Sequence, residues 1–264
     1  MKKIMSIEAY HAEESISKSK LDLIDKSLRH FTHPVQRETD YFNFGHAVHD
    51  CILSPDVFAK NYVRVNDSFD ARKKEYKEMK EIYDASNITI IKEDKYSAIL
   101  DIRERIMSQE ITRNIIEKSE PEISFFTEIK VDGSMVKVKC RPDALDGRNM
   151  IDLKTTQDSG KNAFMWSIKR YRYHVQAAFY SDVYELESGN KIDNFLFIAI
   201  DSAAPYAIRT YILNTESVDL GRRDYKKNLL QIKKYRDNPE KETIEFNKIE
   251  SIGLPSSAFF EDTI

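Results

Sequence analysis

Arg141-Pro142-Asp143-Ala144-Leu145-Asp146-Gly147-Arg148-Asn149-Met150-Ile151-Asp152-Leu153-Lys154 is the stretch on which the fold of this chain turns. It predicts one strand ending at Pro142-Asp143, a short polar turn, and a second strand carrying Asp152-Leu153-Lys154. Side chains alternate faces along a strand, so Asp152 and Lys154 project together while Ile151 and Leu153 point the other way. If the two strands pair, Asp143 meets Asp152. Two carboxylates and an amine at one point suit a hard divalent cation with a cationic group beside it. That is equipment for hydrolysing a phosphodiester. The carboxylates would hold the cation, the Leu153 carbonyl could add an oxygen ligand, and Lys154 could orient or deprotonate the attacking water with a depressed pKa. Alone, Pro-Asp followed by Asp-x-Lys is short, and an exposed hairpin with ordinary surface charges carries the same letters.

Downstream, Tyr171-Arg172-Tyr173-His174-Val175-Gln176-Ala177-Ala178-Phe179-Tyr180 predicts a helix. Gln176 and Tyr180 stand at i and i+4 on one face, with Tyr173 a turn earlier. Gln176 can hydrogen-bond a phosphate or a base edge, and Tyr180 can do the same or stack. Plain amphipathic helices show such faces too. Upstream, Phe44-Gly45-His46-Ala47-Val48-His49-Asp50-Cys51-Ile52-Leu53 sets His49 one turn after His46. Gly45 and Ala47 permit close approach of that helix. A helical histidine is often a packing or capping group, but the His49 imidazole could complete a metal site built on the two aspartates.

The first 120 residues read as mainly helical. Predicted helices are Ser17 to Phe31, Tyr41 to Leu53, Asp70 to Ala85, Glu93 to Met107 and Gln109 to Lys118. Strands follow at Ile123 to Val131 and Met135 to Pro142, joined by Asp132-Gly133-Ser134, and at Met150 to Thr155. A long helix is expected over Asn162 to Leu186, strands at Phe195 to Asp201 and Ala207 to Leu213, a helix from Glu216 to Arg236, and an irregular tail from Asn238. The order implies an α/β core with a central mixed β-sheet flanked by helices, plus an N-terminal helical layer. We take 1–264 as one domain: 1–120 mainly helical, 121–237 the α/β core, and 238–264 a C-terminal tail.

The chain has 41% hydrophobic and 32% charged residues, with 7 Gly and 7 Pro, which leaves little room for disorder. Its net charge of -3 argues against nucleic acid as a partner, although net charge says nothing of a local groove. Two cysteines, Cys51 and Cys140, cannot supply the four thiolates of an iron-sulfur site and are expected as buried free thiols. The N-terminus turns acidic at Glu8 with no long apolar run, so neither a signal peptide nor a membrane span is expected, and the cytoplasm is the expected location. No G-x-x-x-x-G-K-[ST] motif is present, so an attached P-loop motor is not expected.

Taken together, Pro142-Asp143, Asp152-Leu153-Lys154 and Gln176-x-x-x-Tyr180 resemble the PD-(D/E)xK nuclease superfamily, in its RecB-like branch. The closer resemblance is to RecE-type exonucleases (exonuclease VIII) of phages and prophages. It is carried also by Ile16-Ser17-Lys18-Ser19, Gly45-x-x-x-His49, Arg141-Pro142-Asp143 and Asp152-Leu153-Lys154-Thr155-Thr156, and runs from about Tyr10 to Leu254. The resemblance implies a restriction-endonuclease-like fold. It implies that His49, Asp143, Asp152 and the Leu153 carbonyl bind Mg²⁺, with Mn²⁺ able to substitute, and that Lys154 is the catalytic lysine. Gln176 and Tyr180 would contact DNA or steady the site. An earlier family glutamate corresponds to Glu122 or Glu128. It further implies degradation of duplex DNA from 5′ ends to leave 3′ single strands, a ring-shaped trimer or tetramer, and a single-strand annealing partner.

Basic residues suggest a DNA path: Lys137, Lys139 and Arg141 on the strand leading to Asp143, and Lys161, Lys169, Arg170 and Arg172 before Gln176. Arg222, Arg223, Lys226, Lys227, Lys233 and Lys234 fit a solvated helix face as well. Two alternatives stay open: a structure-specific or restriction-type endonuclease of the same fold, and a catalytically silent DNA-binding scaffold.

Overall fold

The computed structural model describes residues 2–35, 40–66, 74–86, 88–239, 249 and 251–253. In chain order the elements are β1 (Lys2–Lys3), α1 (Ile7–Ala12), α2 (Lys18–Lys26), α3 (Leu28–Thr32), α4 (Asp40–Leu53), α5 (Pro55–Asn61), β2 (Tyr62–Val65), α6 (Lys74–Ala85), β3 (Thr89–Lys92), α7 (Glu93–Ser108) and α8 (Glu110–Glu117). They continue with β4 (Glu120–Pro121), β5 (Ser124–Val131), β6 (Ser134–Cys140), β7 (Ala144–Leu145), β8 (Asn149–Thr156), α9 (Lys161–Arg170), α10 (Tyr173–Ser188), β9 (Asn194–Asp201), β10 (Ile208–Ile212) and α11 (Thr215–Asp237).

The central sheet has the order β10-β9-β8-β7-β4. It is mixed: β8 and β9 run parallel, joined by the α9–α10 crossover, and the other pairs are antiparallel. The alternation expected along β8 holds. Met150 enters the core shared with α10, α11 and the β5–β6 hairpin, whereas Ile151 and Leu153 enter a second core under α4 and α7. Both faces of the sheet are therefore covered, which is why β9 reads as a nearly unbroken apolar run, Phe195 to Ile200. The β5–β6 hairpin closes through Asp132 and Gly133, both at positive φ, as a two-residue turn of this twist requires.

The N-terminal helices do not form one layer. Helices α4, α7 and α8 cover one face, while α2 packs with α10 and α11 on the other. The start of the chain is sewn to β6: Ile16 N–H donates to Lys137 O, and Lys139 N–H to Ile16 O, both at 2.9 Å. Lys139 is only 3% exposed, and its ammonium donates to the Tyr10 and Glu13 carbonyls. Arg141 likewise donates to Met5 O at 2.8 Å and pairs with Glu122 at 3.0 Å. These two cations hold the N-terminal segment and do not line a DNA path. Only Lys137 of that trio is exposed.

Two predicted helices are broken. The Ser17 to Phe31 helix divides at Ser27, which is extended (φ -175°) and caps α3 by accepting from His30 N–H. The Asn162 to Leu186 helix divides at Arg172, which adopts the left-handed conformation (φ 55°). Its guanidinium bonds to Leu21 O, Asp22 and Asn228, so it too is a structural cation. The parallel pair β2–β3 was not expected: two four-residue strands separated by a helix carry too few residues for a period-2 signal. Residues 70–73 of the predicted Asp70 to Ala85 helix, and 240–248, 250 and 254–264 of the tail, lie outside the described residues. Cys51 and Cys140 are buried and free. No helix among the described residues is long and apolar enough to cross a membrane.

Helix α11 lies against the start of α10 so closely that a Cβ at Gly221 would run into the His174 carbonyl and lie 2.9 Å from Val175 N. Gly221→Ala is therefore expected to destabilise the fold by about 2 kcal/mol or more. Chemical denaturation would measure it, and an unchanged midpoint would contradict the close packing.

Candidate active site

The site forms where β7 parts from β8. The two strands pair at Ala144↔Ile151 and Leu145↔Met150, and the pairing stops at Ala144, the first residue of β7. Beyond that point the Leu153 peptide has no strand partner on this side. Side chains take its place: Leu153 N–H donates to Asp143 Oδ2 at 2.7 Å, and His49 Nε2 lies 2.8 Å from Leu153 O. A carbonyl only accepts, so Nε2 carries the hydrogen in that contact. Nδ1 then faces Asp143 Oδ2 at 3.4 Å.

His49 reaches this edge because α4 lies close to β8. A Cβ on Gly45 would sit 3.0 Å from Thr155 Oγ1, and Ala47 is fully buried. The outer side of α4 is held by Tyr62, whose hydroxyl donates to Asp50 Oδ2 at 2.8 Å. The short strand β2, which the sequence does not announce, thus helps to fix the histidine helix.

Asp152 is 1% exposed, so its charge must be met by protein groups. Gln176 Nε2 donates to Oδ1, and the Lys154 ammonium stands 2.6 Å from Oδ2. Among the described residues that ammonium is the one cationic partner of Oδ2, an otherwise unmet buried oxygen. Lys154 also lies 4.8 Å from the centre of the Tyr173 ring. Burial acts to lower the Lys154 pKa, but Asp152 and Asp143 together outweigh it and hold the amine above the ordinary lysine range. In this arrangement Lys154 is an ammonium, a donor and a positive charge, rather than the depressed-pKa base expected from sequence. Burial drives Asp143 up to about 6, aided by the Asp152 charge and opposed by His49 and Lys154.

Gln176 is thus engaged with Asp152, steadying it. Tyr180, one turn on, makes no side-chain hydrogen bond among the described residues. Burial, then the neighbouring Tyr10, Cys140, Asp152 and Asp143, push its phenol well above the usual tyrosine range, so it is a neutral hydroxyl. Glu122 holds a strained left-handed backbone (φ 52°) beside the site. Its N–H donates to Asp143 O at 3.0 Å, and its carboxylate pairs with Arg141. It clamps the Arg141–Asp143 segment from both ends. Glu128 is exposed on β5, opposite Lys137, away from this clamp.

One basic group was missed as a site neighbour. Lys18, quoted only as part of Ile16-Ser17-Lys18-Ser19, donates to Tyr171 O at 2.8 Å and pairs with Asp22 at 2.6 Å. Burial lowers its pKa against the pull of Asp22, and the charge of Lys154 adds to the lowering. With Arg172 it pins the α9–α10 corner that carries Tyr173. Its placement depends on Arg172 turning left-handed, which no turn residue in the sequence announces.

Among the described residues no group of three or more His, Cys, Asp or Glu is arranged to hold a metal ion. The donors near β8 are engaged with one another instead. Their chemistry nevertheless fits a hard divalent cation: two carboxylates, an imidazole and a backbone carbonyl at one edge, with the buried Asp152 Oδ2 met by the Lys154 ammonium.

The raised Asp143 pKa has a linked effect on stability. Between the unfolded value near 4 and the folded value of about 6, the folded state binds more protons, so this group's contribution falls as pH rises through that window. Asp143→Asn removes the cost. Without metal, the variant should exceed the wild type by about 1–3 kcal/mol at pH 8, with the gap closing towards pH 4. Denaturant titration at the two pH values measures it, and a gap independent of pH would refute the assignment.

Comparisons with known proteins bear on the fold. A crystal structure from Eubacterium rectale, described as that of a "putative exonuclease", superposes with a TM-score of 0.63. It shares 13% identity and covers 96% of this chain and 97% of its own, a likeness of fold alone. A second structure, of SSO0001, gives a TM-score of 0.32 at 20% identity over 81% and 83% of the two chains, too low to carry an argument. No curated protein matches the sequence. The family model described as PDDEXK-like domain of unknown function (DUF3799) matches residues 5–252, and the chain belongs to that family, with the PD-(D/E)xK fold that its motifs led us to expect.

Proposed function

We propose that this chain is a divalent-metal-dependent deoxyribonuclease. The observation that carries the proposal is the meeting of Asp143, Asp152, Lys154 and His49 around the unpaired Leu153 peptide, within a PD-(D/E)xK fold. His49, Asp143, Asp152 and the Leu153 carbonyl would hold Mg²⁺, with Mn²⁺ able to substitute. Once bound, the cation supplies charge neutralisation on the phosphoryl oxygens and acidifies water. Lys154 offers its ammonium protons to a non-bridging phosphoryl oxygen or to the attacking water. Gln176 keeps Asp152 in a fixed orientation, and Tyr180 offers a neutral hydroxyl beside it. A water oxygen attacks phosphorus in line with the leaving oxygen; the P–O3′ bond breaks, O3′ takes up a proton to become a hydroxyl, the water's proton passes to solvent, and the product carries a 5′-phosphate.

The finer reading is a 5′-3′ exodeoxyribonuclease acting on duplex ends to leave 3′ single strands for recombination. The RecE-like motif order supports it. The same resemblance supports a ring-shaped homo-trimer or tetramer, a single-strand annealing partner and a cytoplasmic setting, with residues 1–264 acting as one nuclease domain.

End-labelled linear duplex with Mg²⁺ tests the proposal. Loss of the 5′ label, an untouched closed circular duplex, and a fall of about a hundredfold or more in Asp152→Asn are expected. Cleavage of the circle would replace the exonuclease by an endonuclease. Full activity in Asp152→Asn would sink the proposal.

A further inference from the structure

Thr155 and Thr156, the last residues of β8, lead from Lys154 into a cleft of about 520 Å³. Its other wall is α9 and the α9–α10 corner, including Trp166, Arg170, Tyr171 and Tyr173. This wall leaves large rings in water: Trp166 is 64% exposed and Tyr171 49%. Cations and rings make up a row in two parts. The Lys154 ammonium stands over Tyr173, Tyr173 stacks on Tyr171 at 5.6 Å and 26°, and Arg170 lies 5.5 Å from the Tyr171 ring. Lys169 lies 5.2 Å from the Trp166 ring.

We infer that this row is a binding track for an unpaired DNA strand next to the scissile phosphate, with a base stacking on Trp166 beside the Tyr171–Tyr173 stack and phosphates meeting Lys169 and Arg170. The inference rests on the nuclease reading above and names the form of DNA that the site takes. Alternating ring faces and cations are what a single strand requires, since every base has a π-face and every nucleotide a charge. A duplex keeps its base faces stacked and offers the wall only phosphates. A protein partner would cover Trp166 without needing the cations. Asp158 also lines the cleft, but its Oδ1 accepts from Gly160 N–H at 2.7 Å, and the neighbouring Lys169 and Arg170 outnumber it.

The sequence holds one tryptophan, so the emission of the unmodified protein reports on this wall. In metal-free buffer, oligothymidylate of about a dozen nucleotides should quench Trp166 along the binding curve given by anisotropy of the same labelled strand, and a blunt duplex should quench far less. Trp166→Ala should raise KM for a tailed duplex about tenfold with kcat nearly unchanged, and Trp166→Phe should restore most of it. Binding without an emission change, or an unaltered KM in Trp166→Ala, would overturn the track while leaving the nuclease reading intact. So would an emission shift that follows protein concentration without DNA, which marks a protein contact. Quenching by a wild type that hydrolyses no DNA with Mg²⁺ or Mn²⁺ would support the track and overturn the nuclease reading instead.

Discussion

The bare peptide of Leu153 is the constraint on which the rest of the site depends. An unpaired backbone N–H and C=O in a sheet interior are costly. Strand β7 leaves β8 after two residue pairs, and the vacancy is met by a carboxylate from one side and an imidazole from the other. Meeting that need fixes Asp143 and His49 within reach of each other and of Asp152. The positive-φ Glu122 and its Arg141 partner hold the segment that makes β7 diverge. Backbone strain, a short strand and a long-range histidine contact thus serve one local arrangement.

The cluster is poorly balanced as a purely structural device. Two carboxylates, one at 1% exposure and the other pushed up to about 6, share a single lysine. Apolar residues of similar volume would stabilise the fold at least as well. Retaining a buried, repelling pair makes physical sense where a cation of higher charge is to be taken up. The elements around the pair hold it in place. Helix α10 supplies Gln176 from a fully packed face, and Gly221 lets α11 press against the start of that helix.

Much of this was legible in the sequence, for reasons that differ by element. The period-2 pattern of β8 separated Asp152 and Lys154 from Ile151 and Leu153, and the helical spacing of α10 put Gln176 on the face that meets Asp152. Gly45 and Ala47 announced the close helix–sheet contact that delivers His49. Charge letters were less informative. Lys139, Arg141 and Arg172 look like a DNA track in one dimension, yet all three are consumed by carbonyls and carboxylates that only the tertiary fold brings near. The break at Arg172 was invisible because a left-handed residue with a long side chain is stabilised by partners on α2 and α11, far away in sequence.

The most direct measurement is calorimetric titration of Mn²⁺ into the metal-free protein, its Asp143→Asn variant and its His49→Ala variant. If the edge of β8 is a cation site, the wild type binds saturably with proton release at pH 6, and both variants lose that isotherm while remaining folded. Equal binding by all three would contradict the account.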